Sequence, residues 1–298
     1  MQTAIKTRKK KKTDWRAVGF VATLLALPIV LFIFNHFYLN FEMVNLAFTN
    51  IRGEFTLKNF EAVYREFTSE EGVLTEALTN TFIFFFINVF VLNILTMFLS
   101  YFLFKRILGY KLFRLVLYLP SIIGSVAFVL VFKAIIGVGG PVYEIINNIC
   151  GEVPEFYNDS RYALGTIIFY QIWTGLGGLL YQGAMARIPT EVFEAGILDG
   201  INPMTEFTKI VIPLIWPTIT TMFIMSFAGI FSASGPILLF TKGDYGTYTI
   251  SFWMWNLVYE YNAVNTSSAC GLIFTAIGCP IALGFRKLML RIQESVEY

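Results

Sequence analysis

The sequence predicts an all-α integral membrane protein with six transmembrane helices, and three observations carry that prediction. Of the 298 residues, 56% are hydrophobic and only 14% are charged, with a mean hydropathy of +0.65, a balance outside that of ordinary soluble domains. Six apolar stretches are long enough to cross a hydrocarbon core of about 30 Å. The segments between them alternate between basic and acidic, as expected of a chain that weaves through a bilayer with its Lys and Arg on one side. The net charge of +2 says little in total. Its distribution along the chain says more.

In order, residues 1–17 form a basic tail (Lys6, Arg8, Lys9, Lys10, Lys11, Lys12). The apolar stretch at 18–37 is too long for a secretory signal and lacks a small-residue cleavage site, so it reads as a retained first span. Pro28 is tolerable in a membrane helix, and His36 at the far end reads as interfacial. Residues 38–77 form an outer loop rich in acid (Glu42, Glu54, Glu61, Glu66, Glu70, Glu71, Glu76). A core at 78–286 then holds five spans, near 78–104, 115–138, 162–185, 214–239 and 267–285. Lys105, Arg106, Lys111 and Arg114 mark an inner loop, and Glu144, Glu152, Glu155 and Asp159 an outer one. The Gly-, Tyr- and Trp-rich stretch at 241–266 reads as irregular or interfacial. Residues 287–298 form an inner tail, so both termini are expected in the cytoplasm.

The most informative stretch runs from Ile188 to Pro217. It is a charged island between two apolar segments and is expected in water at the cytoplasmic face. Its grammar is that of two short helices. Thr190 can cap the first, with Glu191 and Glu194 in the first turn where the helix dipole favours negative charge. Gly200 ends it, being suited to a left-handed backbone, and Asn202 with Pro203 can start the second. That second helix is expected to stop before Pro213. Phe193 and Ile197 are four apart and give the first helix an apolar face that needs a soluble partner.

Several function classes are disfavoured. Lys133 is the one formal charge expected at membrane depth, and near a helix end it reads as snorkelling outward more readily than as a substrate contact. Ion-coupled carriers usually hold carboxylates or histidines in their spans, and these spans show none. A nucleotide-binding phosphate loop is missing, so hydrolysis by this chain is not expected. Cys150, Cys270 and Cys279 lack metal-ligand spacing and read as small buried residues. A secondary transporter or channel for a small polar solute is the alternative reading, with an intramembrane enzyme behind it.

Within the island, Glu194-Ala195-Gly196, Asp199-Gly200, Ile210 and Pro213 resemble the E-A-A, G and I-x-L-P positions of the signature in binding-protein-dependent ABC importer permeases. Gly196 stands for the second alanine and Ile212 for the usual leucine. Asn80-Thr81, Leu119-Pro120-Ser121, Ile172-Trp173 and the run Gly235–Tyr245 fall in the order seen in the sugar-type group of maltose and glycerol-phosphate permeases, over about 75–290. The resemblance implies a type I ABC importer permease fold, with a coupling helix at 188–213 docking on an ABC ATPase subunit. Glu191, Glu194, Ala195, Gly196, Asp199, Gly200, Ile210 and Pro213 are the expected docking residues. It further implies a second, homologous permease subunit, an extracytoplasmic solute-binding protein, a sugar substrate and a bacterial cytoplasmic membrane. ATP and magnesium would belong to the ATPase, with no cofactor or metal in this chain and no nucleic acid. For the sugar, aromatic faces suit the CH side of a pyranose and an amide suits its hydroxyls, which nominates Tyr170, Gln171, Trp173, Trp253, Trp255 and Tyr259.

Overall fold

The structure is a computed structural model and describes residues 15–69, 72–151, 153–232 and 234–294. The basic run at 6–12, together with Glu70, Glu71 and Glu152, lies outside the described residues. Among the described residues the regular structure is helical, with one isolated antiparallel bridge between Thr49 and Phe55.

The first apolar helix comprises α1 (Trp15–Ile33), a π turn at Phe34–Tyr38 and α2 (Leu39–Ala47). It runs ten residues beyond the expected end at 37, so the outer loop is shorter than predicted. The reason lies at its far end. The amides of Asn59 and Asn265 donate to the carbonyls of Ala47 (2.9 Å) and Leu46 (3.0 Å), which a helix end would otherwise leave open. What remains of that loop carries α3 (Lys58–Thr68), whose Val63 is buried.

The second span is one long helix from Leu74 to Phe104, made of α4 (Leu74–Phe86), a π turn at Ile87–Leu92 and α5 (Asn93–Phe104). The third departs from expectation. In place of one helix over 115–138 there are α6 (Tyr110–Ile122) and α7 (Ser125–Ile136), with extended backbone at Ile123 and Gly124. Pro120 withholds a ladder hydrogen bond just before this break. After a short turn, α8 (Pro141–Cys150) continues α7, so the stretch of spanning length is Ser125–Cys150.

The fourth span holds α9 (Ala163–Gly175) and α10 (Leu179–Met185), interrupted at a glycine-rich break. The island then forms α11 (Thr190–Leu198), α12 (Pro203–Glu206), a π turn at Phe207–Val211 and α13 (Ile212–Leu214). Contrary to expectation the helix passes through Pro213. The widened π turn directly before it shifts the ladder by one residue, so Ile212 N–H reaches back to Phe207 and the proline ring is accommodated. The chain then bends by 74° into α14 (Trp216–Ala228).

The fifth span also ends early, at Ala228 rather than near 239, and the next described helix is α15 (Ile237–Phe240). The stretch expected to be irregular carries α16 (Ile250–Tyr259), capped by the Thr249 hydroxyl, which accepts from Phe252 N–H. Last comes α17 (Val264–Glu294), 31 residues long. Among the described residues five helices are long and apolar enough to cross a membrane, and six if the bent pair counts as one.

Two further expectations change. Lys133 does not snorkel: its Nζ donates to the carbonyls of Leu239 and Phe240 at 3.0 Å, closing the end of α15, and lies over the Tyr157 ring at 4.5 Å. Cys270 is buried, whereas Cys150 and Cys279 are exposed. The interior is built in clusters. One gathers Tyr101, Tyr181, Met185, Phe193, Phe207 and Val211 at the island end. Another gathers Phe84, Phe132, Ile167, Tyr170, Ile237 and Phe240 around α15.

Candidate functional site

The island is a bent finger. Pro189, not Thr190, holds the N-cap position of α11, and Thr190 is its first helical residue. Gly200 has φ of +69°, as the sequence suggested, and nothing within the chain lies within 4 Å of where its Cβ would be. The Asn202 side chain accepts from Thr205 N–H at 2.8 Å and Pro203 follows at the first helical position. Gly196 faces inward, where a Cβ would come within 2.7 Å of Ile201 Cδ1 and 3.4 Å of Ile210 Cδ1. That contact explains a glycine here.

The apolar face divides in two. Phe193 is buried on the Phe104 ring (5.5 Å between centroids), contrary to the expectation that it is free. Ile197 and Leu198 remain 65% and 88% exposed, beside exposed Glu191, Glu194, Ala195, Asp199 and Gly200. Ile210 and Pro213 are half-buried and belong to the support.

Beneath the finger lies a buried carboxylate that sequence reasoning did not single out. Glu206 is 4% exposed. Lys105 Nζ lies 2.8 Å from its Oε1 and 3.0 Å from its Oε2. The Tyr101 hydroxyl lies 3.0 Å from Glu206 Oε1 and 3.1 Å from the Pro203 carbonyl, its single proton serving one acceptor at a time.

Two of the cavities among the described residues bear on the pathway. The first, of about 480 Å³, lies between α5, the break between α9 and α10, and α14, and is lined in part by Asn88, Asn93, Thr96, Tyr181 and Ser226. Its walls are close-set: a Cβ on Gly178 would lie 2.1 Å from Ser100 Oγ, and one on Gly175 would lie 2.6 Å from Leu92. The second, of about 580 Å³, is lined in part by Pro120, Tyr170, Gln171, Thr174, Ser251 and Trp255. Gln171 Nε2 donates to Asn88 Oδ1 at 2.7 Å, joining the two walls, while its Oε1 is buried with no partner.

The structure therefore brings together three of the six aromatic and amide residues nominated for a sugar. Tyr170, Gln171 and Trp255 line the second cavity. Trp173 packs on Phe128 and Phe132, and Trp253 sits in a cluster with Leu74 and Cys270. Tyr259 is exposed and stacks on Trp255 at 4.8 Å. Among the described residues no group of three or more His, Cys, Asp or Glu could hold a metal ion.

No family model matches the chain. Curated proteins do. The lactose transport system permease protein LacF of Rhizobium radiobacter is 29% identical over 204 residues, 64% of this chain and 67% of that protein. The maltose/maltodextrin transport system permease protein MalF of Escherichia coli K12 is 28% identical over 193 residues, which is 62% of this chain but only 37% of MalF. The probable ABC transporter permease YesP of Bacillus subtilis is 27% identical over 176 residues. In sequence the chain is similar to permeases of sugar ABC transport systems.

The fold of this permease agrees with a chain of a bacterial ABC transporter that imports the acidic polysaccharide alginate. The two superpose with a TM-score of 0.78 at 20% identity, covering 93% of this chain and 98% of that one. In the permease, the Asn80-Thr81 pair noted only for its resemblance acquires a physical task. The Asn80 amide donates to the carbonyls of Gly246 and Tyr248 (2.9 and 2.8 Å), and Thr81 Oγ1 accepts from Ile250 N–H (2.9 Å). The cavity residues Asn88, Asn93 and Ser226 were missed because single amides and hydroxyls in apolar runs carry no spacing signal. In the second span Asn88, Asn93 and Thr96 line one cavity, although Asn88 and Asn93, five apart, would lie about 140° from each other on a regular α-helix.

Proposed function

We propose that this permease forms half of a translocation pathway for a carbohydrate, receives it from an extracytoplasmic binding protein, and is driven by a separate ABC ATPase docked on α11. A second, homologous permease completes the pathway. Both termini and the docking finger face the cytoplasm of a bacterial cell whose cytoplasmic membrane holds the complex. The observation that carries this reading is the finger itself. Its exposed Ile197 and Leu198 flank a left-handed Gly200, on a support buried against three other helices. Solvent-facing apolar side chains on a rigid mount suit insertion into a cleft. The relatives transport lactose and maltodextrins, and the superposed transporter was solved with an alginate pentasaccharide-bound periplasmic protein. The aromatic and amide lining of the second cavity suits a sugar of that class.

The test is Gly200→Val. Within this chain the new side chain meets no neighbour, so its effects are backbone strain at positive φ, on the order of 1–2 kcal/mol, plus intrusion on whatever is docked there. The variant permease should insert and pair, yet retain about tenfold or more less ATPase when purified through its own tag, and lose uptake accordingly. Parental levels of both would show that α11 is not the docking element.

A further inference from the structure

The docking finger is joined to the membrane helices by more than its two chain ends. We propose that Tyr101, Lys105 and Glu206 form a positioning clamp through which movement of the finger turns the helix Leu74–Phe104, and with it one wall of the cavity beside Asn88 and Asn93. This inference rests on the importer reading above.

The end of α5 holds both arms of the finger. Towards α11, the Phe104 ring packs on Phe193, and Lys105 Nζ lies 4.9 Å above the centre of that same ring. Towards α12, Tyr101 reaches the Pro203 carbonyl and the Glu206 carboxylate, and the rings of Phe98 and Tyr101 lie 5.7 and 4.9 Å from that of Phe207. Lys105 thus touches both arms at once, as the cation of an ion pair and as a charge over a ring.

A buried carboxylate is a poor way to add stability, because desolvating it offsets most of what its partners return. It is a good way to fix one register, because any sliding of the finger along α5 leaves a charge buried without its counter-ion. The same helix carries Asn88, Leu92, Asn93 and Thr96 along the 480 Å³ cavity. A rigid element therefore runs from the clamp to the cavity wall, and a rotation imposed at the finger has a non-covalent route inward.

The test uses the whole importer, purified through a tag on this chain, with bound ATPase, ATP hydrolysis and uptake measured together. Glu206→Gln keeps the shape and a hydrogen bond to Tyr101 but removes the charge. Tyr101→Phe keeps the ring on Phe207 and removes only the hydroxyl. Both should retain the ATPase and hydrolyse ATP at near-parental rates while uptake per ATP falls about tenfold, the size of an ordinary coupling term. The double exchange of Lys105→Glu with Glu206→Lys should recover a large part of that loss, which a merely space-filling role would not allow. Parental uptake per ATP in both single variants would overturn the clamp, as would loss of bound ATPase in step with uptake, which would make Glu206 part of the docking surface alone. A parental complex that retains no ATPase would remove the importer reading itself, and the clamp with it.

Discussion

At the scale of single residues, glycines in the island show how differently one residue type can be used. Gly200 is required by its backbone and meets nothing within the chain, whereas Gly196 has ordinary helical backbone and is crowded only by the Ile201 side chain. The obstructing atom at Gly196 is the far end of a flexible side chain. Gly196→Ala should therefore change stability by less than about 1 kcal/mol, since a helix-propensity gain of about that size opposes the crowding. Adding Ile201→Val, which removes the obstructing methyl, should leave the pair more stable than the parent. Thermal unfolding in detergent would check both, and a loss of several degrees in the double variant would contradict the packing described. The turn at Gly200 and the cap at Asn202 were readable because they follow local rules of sequence and spacing. Glu206 was not, since nothing in the run Pro203–Glu206 announces that Tyr101 and Lys105, a hundred residues earlier, arrive beside it.

At the scale of elements, hydropathy located nearly every span but not the interruptions within them. The breaks at Ile123–Gly124, at Leu176–Gly178 and after Ala228 lie inside continuous apolar runs, where composition has no reason to change. The break at Leu176–Gly178 is set by close approach. At Gly178 the carbonyl accepts from Ser100 Oγ at 3.2 Å, and a Cβ would also come within 2.7 Å of Thr96 Cγ2 and 3.2 Å of its carbonyl. Backbone atoms cannot step aside as the Ile201 methyl can. Gly178→Ala should cost about 1–3 kcal/mol, lower the unfolding temperature of the permease and reduce uptake by distorting the cavity wall. A variant with parental unfolding and uptake would mean that α5 and α10 do not meet this closely. The helix α16 was missed for a related reason: its aromatic run suits an interface as well as a helix, and the deciding Thr249 cap is a single hydroxyl.

At the scale of the whole molecule, the alternation of basic and acidic loops makes a statement about sidedness that labelling in intact cells can examine. Cys150 and Cys279 are exposed, so both are first replaced by serine. A cysteine at Glu155 should then react with an impermeant maleimide from outside, and one at Lys111 should react only after the cells are opened. Reaction at Lys111 in intact cells would reverse the orientation and place the docking finger outside. This expectation comes from the basic loops alone, because the positive-inside rule depends on composition. How the spans pack depends on distant pairs such as Asn80 with Gly246 and Gln171 with Asn88, which no local pattern reports.

The π turn at Ile87–Leu92 sits midway along the second span. Such a turn holds one residue more than an α turn needs, and one residue of helix corresponds to about 100° of azimuth. Above it the helix grips the far loop through Asn80 and Thr81; below it the same helix grips the finger through Tyr101 and Lys105. The surplus residue therefore acts as a phase setting between two handles on a single shaft. A chain of the same composition but one residue shorter here could still form a membrane helix, yet it could face only one of its two partners at a time.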